Sequence, residues 1–211
     1  MIYGVILNDQ SSVKKIGDAL AEAPYKGAPK APAMYLKPAN TVVGDGATVR
    51  LPEGASAVEI GATLGLVIGR SAARLTRDGA LGAIGGVVVV ADLSLPHTSY
   101  YRPAIREKCF DGACPVSPSV PLSTLGDWKA VVITTEIDGA MVERRSLADL
   151  IRDPVQLLVD VSEFMTLQTG DVLLLGVGYQ APQARAGSRV RVSVQGMASV
   201  DFSLAEQGVQ P

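Results

Sequence analysis

"AVEIGATLGLVIGR", residues 57–70, decides how this chain is read. Its first half alternates apolar and polar residues with a period of two, the signature of a strand with one face turned inward. From Leu64 onward it is apolar throughout, which fits a strand buried on both faces. Further along, "TRDGALGAIGGVVVVADLS" (76–94) gives a short helix and then a second buried strand ending at Asp92.

Working outward, the same period recurs. "IYGVIL" (2–7), "AMYLK" (33–37) and "VRLP" (49–52) read as short strands. "KAVVITTEIDGAMVERRS" (129–146) reads as a hairpin about Asp138-Gly139, a pair suited to a two-residue turn. Trp128 is expected to pack at the base of that hairpin. "TGDVLLLGVG" (169–178) is turn plus strand, and "GSRVRVSVQGMASVDFSL" (187–204) gives two closing strands. Helical spacing predicts a helix from about Ser12 to Glu22, capped by Ser12, and another over 146–167, interrupted at Pro154. Strands dominate and no βαβ alternation appears, so a doubly wound sheet is not expected. The expectation is one β-rich α+β domain over 1–211, with 1–30 as a small N-terminal appendage.

Apolar residues make up 47% of the 211 and charged ones 19%, enough for a large core and an apolar subunit interface. The net charge of −2 supplies no sequence-wide basic field, so nucleic acid is not an expected partner. No apolar run approaches the roughly 18 residues of a membrane helix, and no membrane association is expected. The first residues lack the pattern of a secretory signal, so a cytoplasmic location is expected. "GDG" (44–46) and "GYQAPQARAG" (178–187) are turns, without the strand-to-helix setting of a phosphate loop.

The densest polar stretch is "YYRPAIREKCFDGACP" (100–115). Cys109 and Cys114, with His97 as the only histidine, fall short of the four ligands of a zinc site. They are read as two thiols rather than a disulfide. Arg102, Arg106 and Lys108 bring three positive charges into seven residues. They form either the wall of an anion pocket or a solvated loop paired with Asp92, Glu107 or Asp111. Tyr100 and Tyr101 either pack or line that pocket. His97 is either a base beside Asp92 or an exposed loop residue.

"YLKPANTVVG", "LGLVIGR", "ADLS", "KCFDGACPVSP", "EIDGAMVE", "LVDVSEFMTLQTGDVLLLG" and "GSRVRVSVQGMASV" follow one another in the order seen in the fumarylacetoacetate hydrolase family. The resemblance covers nearly the whole chain. "YKGAPKAP", "SLPHTSYYRPAIREK" and "SEFMTL" are similar to its branch of bifunctional isomerase/decarboxylases of aromatic-compound catabolism, built as two homologous halves or as two subunits. The resemblance implies a mixed β-sandwich roll and a small-molecule 2-oxo dicarboxylate as ligand. It implies a partner too, as a homo-oligomer or with a homologous second subunit. The implied reactions are isomerisation of 2-hydroxyhepta-2,4-diene-1,7-dioate and decarboxylation of 5-carboxymethyl-2-oxohex-3-ene-1,6-dioate. It also implies Mg2+ held by three carboxylates, acting as a Lewis acid on the 2-oxo acid.

Position by position, the resemblance implies Lys108 and Asp92 as catalytic residues. Lys37 matches the lysine of the family's Leu-Lys-Pro strand and is expected to bind substrate or to form a surface ion pair. Arg102 and Tyr101 are expected to bind the dianionic substrate. Asp92 matches the third metal acid, but Gly61 and Thr63 hold the other two ligand places. Glu59 lies on the same strand face, displaced by roughly 6.7 Å, far beyond the ~0.2 Å tolerance of a coordination shell. Pro96 stands near the family's arginine, Leu175 at its late threonine, and "LNDQSSVKKIGDAL" (7–20) lacks its histidine. Mg2+ is thus expected from the family and in doubt from these residues. The chain is expected either to act with its own site or to serve as a non-catalytic partner of an intact homologous subunit.

Overall fold

The computed structural model describes residues 1–23, 25–97 and 104–207. Its strands, in chain order, are β1 (Ile2–Ile6), β2 (Ala33–Lys37), β3 (Val42–Val43), β4 (Ala47–Arg50), β5 (Val58–Ile68), β6 (Ile84–Ser94), β7 (Cys114–Pro115), β8 (Val132–Ile137), β9 (Ala140–Ser146), β10 (Val172–Leu174), β11 (Gln183–Ala184), β12 (Arg189–Val194) and β13 (Ser199–Ala205). The helices are α1 (Gln10–Ile16), α2 (Arg77–Ala80), α3 (Ile105–Lys108) and α4 (Pro154–Phe164).

The period-two stretch is the spine of the molecule. β5 pairs antiparallel with β6 from Glu59↔Ser94 to Ile68↔Ile84. Strict alternation sorts the side chains. Ile60, Ala62, Leu64 and Leu66, with Val87, Val89, Ala91 and Leu93, enter the main core. Gly61, Thr63 and Gly65 lie on the opposite face, register partners of Asp92, Val90 and Val88. Val88 and Val90 join a smaller apolar cluster there with Ile2, Cys114 and Leu174.

Two mixed sheets enclose the main core. The first runs β2-β1-β10-β5-β6, with β11 on the β10 side of β5. The second runs β4-β13-β12-β8-β9. Inward residues of the second, Val190, Val192, Val200, Phe202 and Ile133, meet the first sheet, and Leu157, Leu158 and Val161 of α4 close the side. This is the β-rich α+β architecture anticipated from the strand pattern. β6 does not stay an open edge, because Ser117 Oγ accepts from Val89 N (2.9 Å) and Ser117 N donates to Val89 O (2.9 Å). Among the described residues no helix is long and apolar enough to cross a membrane.

Several local readings change. Residues 1–30, expected as an appendage, begin with β1, an interior strand between β10 and β2. The first helix is capped by Asp9, whose Oδ1 accepts from Ser12 N (2.9 Å), and ends at Ile16. A carboxylate at the cap accepts a stronger hydrogen bond than the Ser12 hydroxyl would. In 146–167 the helix begins only at Pro154, capped by Asp153; proline at the first helical position starts a helix rather than interrupting one. The hairpin of β8 and β9 forms as read, with positive φ at Asp138 (+53°) and Gly139 (+80°). Trp128 packs partly buried against the main core just before β8.

Among the described residues β5 has no strand partner between its contacts with β11 and β10, and Arg145 of β9 fills that gap. Its Nη1 donates to Ala62 O (3.1 Å) and Gly176 O (2.9 Å), and its Nε donates to Asp9 Oδ2 (3.0 Å). Both charges are buried.

Candidate active site

Tyr35 and Lys37 belong to β2 at one edge of the first sheet, and Asp92 to β6 at the other. In a flat sheet, four inter-strand spacings would separate them by roughly 19 Å. Instead Tyr35 Oη donates a short hydrogen bond to Asp92 Oδ2, and Lys37 Nζ donates to Leu93 O (2.7 Å). The sheet is therefore rolled until its two edges meet side chain to side chain. The place of the Tyr35 ring in that contact depends on an absent Cβ, since an atom added at Gly4 would overlap the ring.

Asp92 is the centre of what meets there. Lys108, at the end of α3, donates to its Oδ2 (3.1 Å). Lys37 Nζ lies 2.7 Å from Oδ1, but its hydrogens go to the carbonyls of Leu93, Lys108 (2.7 Å) and Ala113 (2.9 Å). The attraction between Lys37 and Oδ1 is thus chiefly Coulombic, and among the described residues no well-aligned hydrogen bond reaches Oδ1. The Lys108 ammonium also lies over the Tyr35 ring, 4.6 Å from its centre.

The electrostatics follow from burial and charge. Burial alone would raise the Asp92 carboxyl; Lys108, Lys37 and the Tyr35 hydroxyl outweigh it and hold the group down at about 2. Asp92 is therefore ionised at neutral pH, where it cannot donate a proton and accepts one only weakly. Burial, reinforced by Asp92, pushes Tyr35 well above the ordinary tyrosine range, so it keeps its proton. Burial lowers Lys37, against the opposing pull of Asp92. Glu59 stands on the same face of β5 as Gly61 and Thr63, half-buried; burial raises its carboxyl, with His97 and Lys108 opposing. Cys114 is buried near this cluster and pushed up to about 12, an inert thiol. Cys109 is also a free thiol.

The predicted site residues are thus divided. Lys108 and Asp92 are in contact, with a small part of Lys108 (7%) exposed. Lys37 is 0% exposed although β2 is an edge strand, and its three protons are committed to main-chain oxygens; it anchors β6 and the end of α3 rather than reaching a ligand. Arg106 points to solvent and His97 is half-buried. Arg102, Tyr101 and Tyr100 lie outside the described residues. Leu175 is wholly inside the main core. Two members were missed. Tyr35 precedes Lys37 by two on one strand face, so alternation alone could have found it. Glu59 was weighed only as a metal ligand, although the same face carries it toward the cluster.

The residues present do not fit a divalent cation of the expected kind. Among the described residues no three His, Cys, Asp or Glu side chains converge on a point. Gly61 cannot regain a ligand in place, because a Cβ there would lie 2.7 Å from Asp92 O and 2.8 Å from Val177 Cγ1. Thr63 is buried and donates weakly to Leu64 O (3.3 Å). Both Asp92 oxygens already face ammonium groups, one of them the fully enclosed Lys37.

The Fumarylacetoacetate (FAA) hydrolase C-terminal family model matches residues 1–204. Over 206 residues the chain is 37% identical to the 4-hydroxyphenylacetate degradation bifunctional isomerase/decarboxylase of Escherichia coli, covering 98% of this chain and 47% of that protein. The chain spans about half the length of the curated relatives it matches first. The 5-carboxymethyl-2-hydroxymuconate delta-isomerase of Mycobacterium smegmatis superimposes with a TM-score of 0.83 at 25% identity, over 98% of this chain and 79% of that one. Fumarylpyruvate hydrolase of Pseudomonas aeruginosa, solved with Mn2+ and pyruvate, shares the fold with a TM-score of 0.84 at 20% identity, over 98% of this chain and 89% of that one. A family model that runs almost end to end, and a relative more than one-third identical across it, establish that this chain belongs to the fumarylacetoacetate hydrolase family.

Proposed function

We propose that this chain is one half of an isomerase/decarboxylase of 4-hydroxyphenylacetate degradation, working in the cytoplasm with a second copy or a homologous second half. The ligand in this reading is a 2-oxo or 2-hydroxy dicarboxylate, and the favoured reaction is the isomerisation. 2-Hydroxyhepta-2,4-diene-1,7-dioate loses the proton of its 2-hydroxyl and gains one at C5, leaving a 2-oxo-3-ene. Such a step needs a cation near the developing enolate oxygen and a carboxyl able to carry a proton. Lys108 supplies the first and Glu59, raised by burial, the second. Asp92 and Tyr35 hold Lys108 in place, and Arg102 and Tyr101 bind the distal carboxylate. The observation that carries this reading is the Lys108–Asp92–Tyr35 contact where the sheet edges meet.

The test is loss of dienol absorbance with the purified chain, alone and mixed with a homologous subunit. Turnover that falls at least ~100-fold in Lys108→Ala is the expected result. An unchanged substrate in both mixtures would overturn the proposal. The absence of a carboxylate at Gly61 and Thr63 favours a second reading, a non-catalytic partner. Activity that appears only in the mixture and is indifferent to Lys108→Ala would select it.

A further inference from the structure

We infer that this chain binds the 2-oxo-acid end of its ligand through the Lys108 ammonium without a divalent cation, in a site whose first ligand place is closed by Val177. The inference rests on the anion-site reading proposed above and adds how that site is charged.

Three observations support it. The first is steric. Val177 fills the space where a longer side chain at Gly61 would run, and the Asp92 carbonyl closes the other side. The second concerns donors. Asp92 Oδ2 already receives the Tyr35 hydroxyl and the Lys108 ammonium, and Oδ1 faces Lys37. A metal would have to displace an ammonium whose side chain is fully enclosed and whose protons also bond three carbonyls. The third is charge. Two ammoniums against one carboxylate leave the cluster at +1. A divalent ion would take it to +3, and the displaced Glu59 carboxyl would offset only part of that. At +1 the cluster already suits an anion, and the ammonium can donate to a carboxylate or an enolate oxygen directly.

The experiment uses the intact chain and two calorimetric titrations. In the first, Mn2+ alone is titrated into protein previously treated with chelator. In the second, 2-oxoglutarate is titrated in chelator and again in Mn2+. The expected results are no stoichiometric Mn2+ binding and equal 2-oxoglutarate affinity in both buffers. Lys108→Met, which keeps the apolar stem, should weaken that affinity roughly tenfold or more. One Mn2+ per chain, or 2-oxoglutarate binding that requires Mn2+, overturns the inference and leaves the proposed function standing. No 2-oxoglutarate binding in either buffer likewise overturns the inference, while the dienol assay decides the proposed function separately. The wild-type titrations decide the matter even if Lys108→Met does not fold.

Discussion

Replacing Asp92 by Asn keeps the shape of the side chain and removes one charge. The consequence is set by its neighbours. Lys37 is 0% exposed and Lys108 7%, and Asp92 is the carboxylate both of them contact. Removing one member of a buried pair generally costs about 3–5 kcal/mol, because the remaining charge is left without compensation. A second route gives a lower figure. A carboxyl held at about 2 instead of 3.8 implies roughly 2 kcal/mol of preference for the charged, folded form. Asp92→Asn should therefore destabilise the chain by about 2–5 kcal/mol. In urea unfolding followed by circular dichroism, that lowers the midpoint by about 1 M or more. The sign of the pH effect follows from the depressed folded value. The stability due to Asp92 is complete above the unfolded carboxyl's range near 4 and is lost as pH falls toward 2. The wild type should lose that increment in acid, and Asp92→Asn should show a correspondingly shallower acid limb. A variant within about 1 kcal/mol of wild type at pH 7 would refute the dependence of the two lysines on this carboxylate.

Gly4→Ala should expel the Tyr35 ring and cost about 1–3 kcal/mol in urea unfolding; the same cost in a Tyr35→Phe background would show that the hydroxyl contact to Asp92 is not what is lost. Arg145→Met should cost about 3–5 kcal/mol by stranding Asp9 and two carbonyls, and a loss below about 1 kcal/mol would contradict the strut role. Cys114 should resist a thiol reagent at pH 8 in the folded chain and react on unfolding, whereas labelling at the rate of the unfolded chain would contradict its burial.

How much of this was legible in the sequence depends on the range of the forces involved. β5 and β6 could be read because alternation is a local consequence of the pleat, and the hairpin because Asp138 and Gly139 both adopt positive φ. The start of α4 was misread because Pro154 has two opposite meanings, breaker and first helical residue, and the cap at Asp153 decides between them. Lys37 was expected to bind substrate or to pair at the surface, because nothing within β2 reveals that the sheet rolls. Its partners come from Leu93, Lys108 and Ala113, 56 to 76 residues away. Tyr35 and Asp92 are likewise 57 residues apart. The obstruction at Gly61 could not be foreseen either, since Val177 arrives from the segment between β10 and β11, more than 110 residues along the chain. Short-range geometry was visible in the letters; closure of the sheet, and therefore the chemistry at its seam, was not.

The Arg145 strut has a consequence for how the molecule comes apart. One side chain from the second layer bonds the backbone of the first and the capping acid of α1. Peeling the layers apart would strand a guanidinium and a carboxylate together. Local opening at β9 is thereby tied to release of the N-terminal segment, and amide protons in the two regions should exchange through one shared event rather than two separate ones.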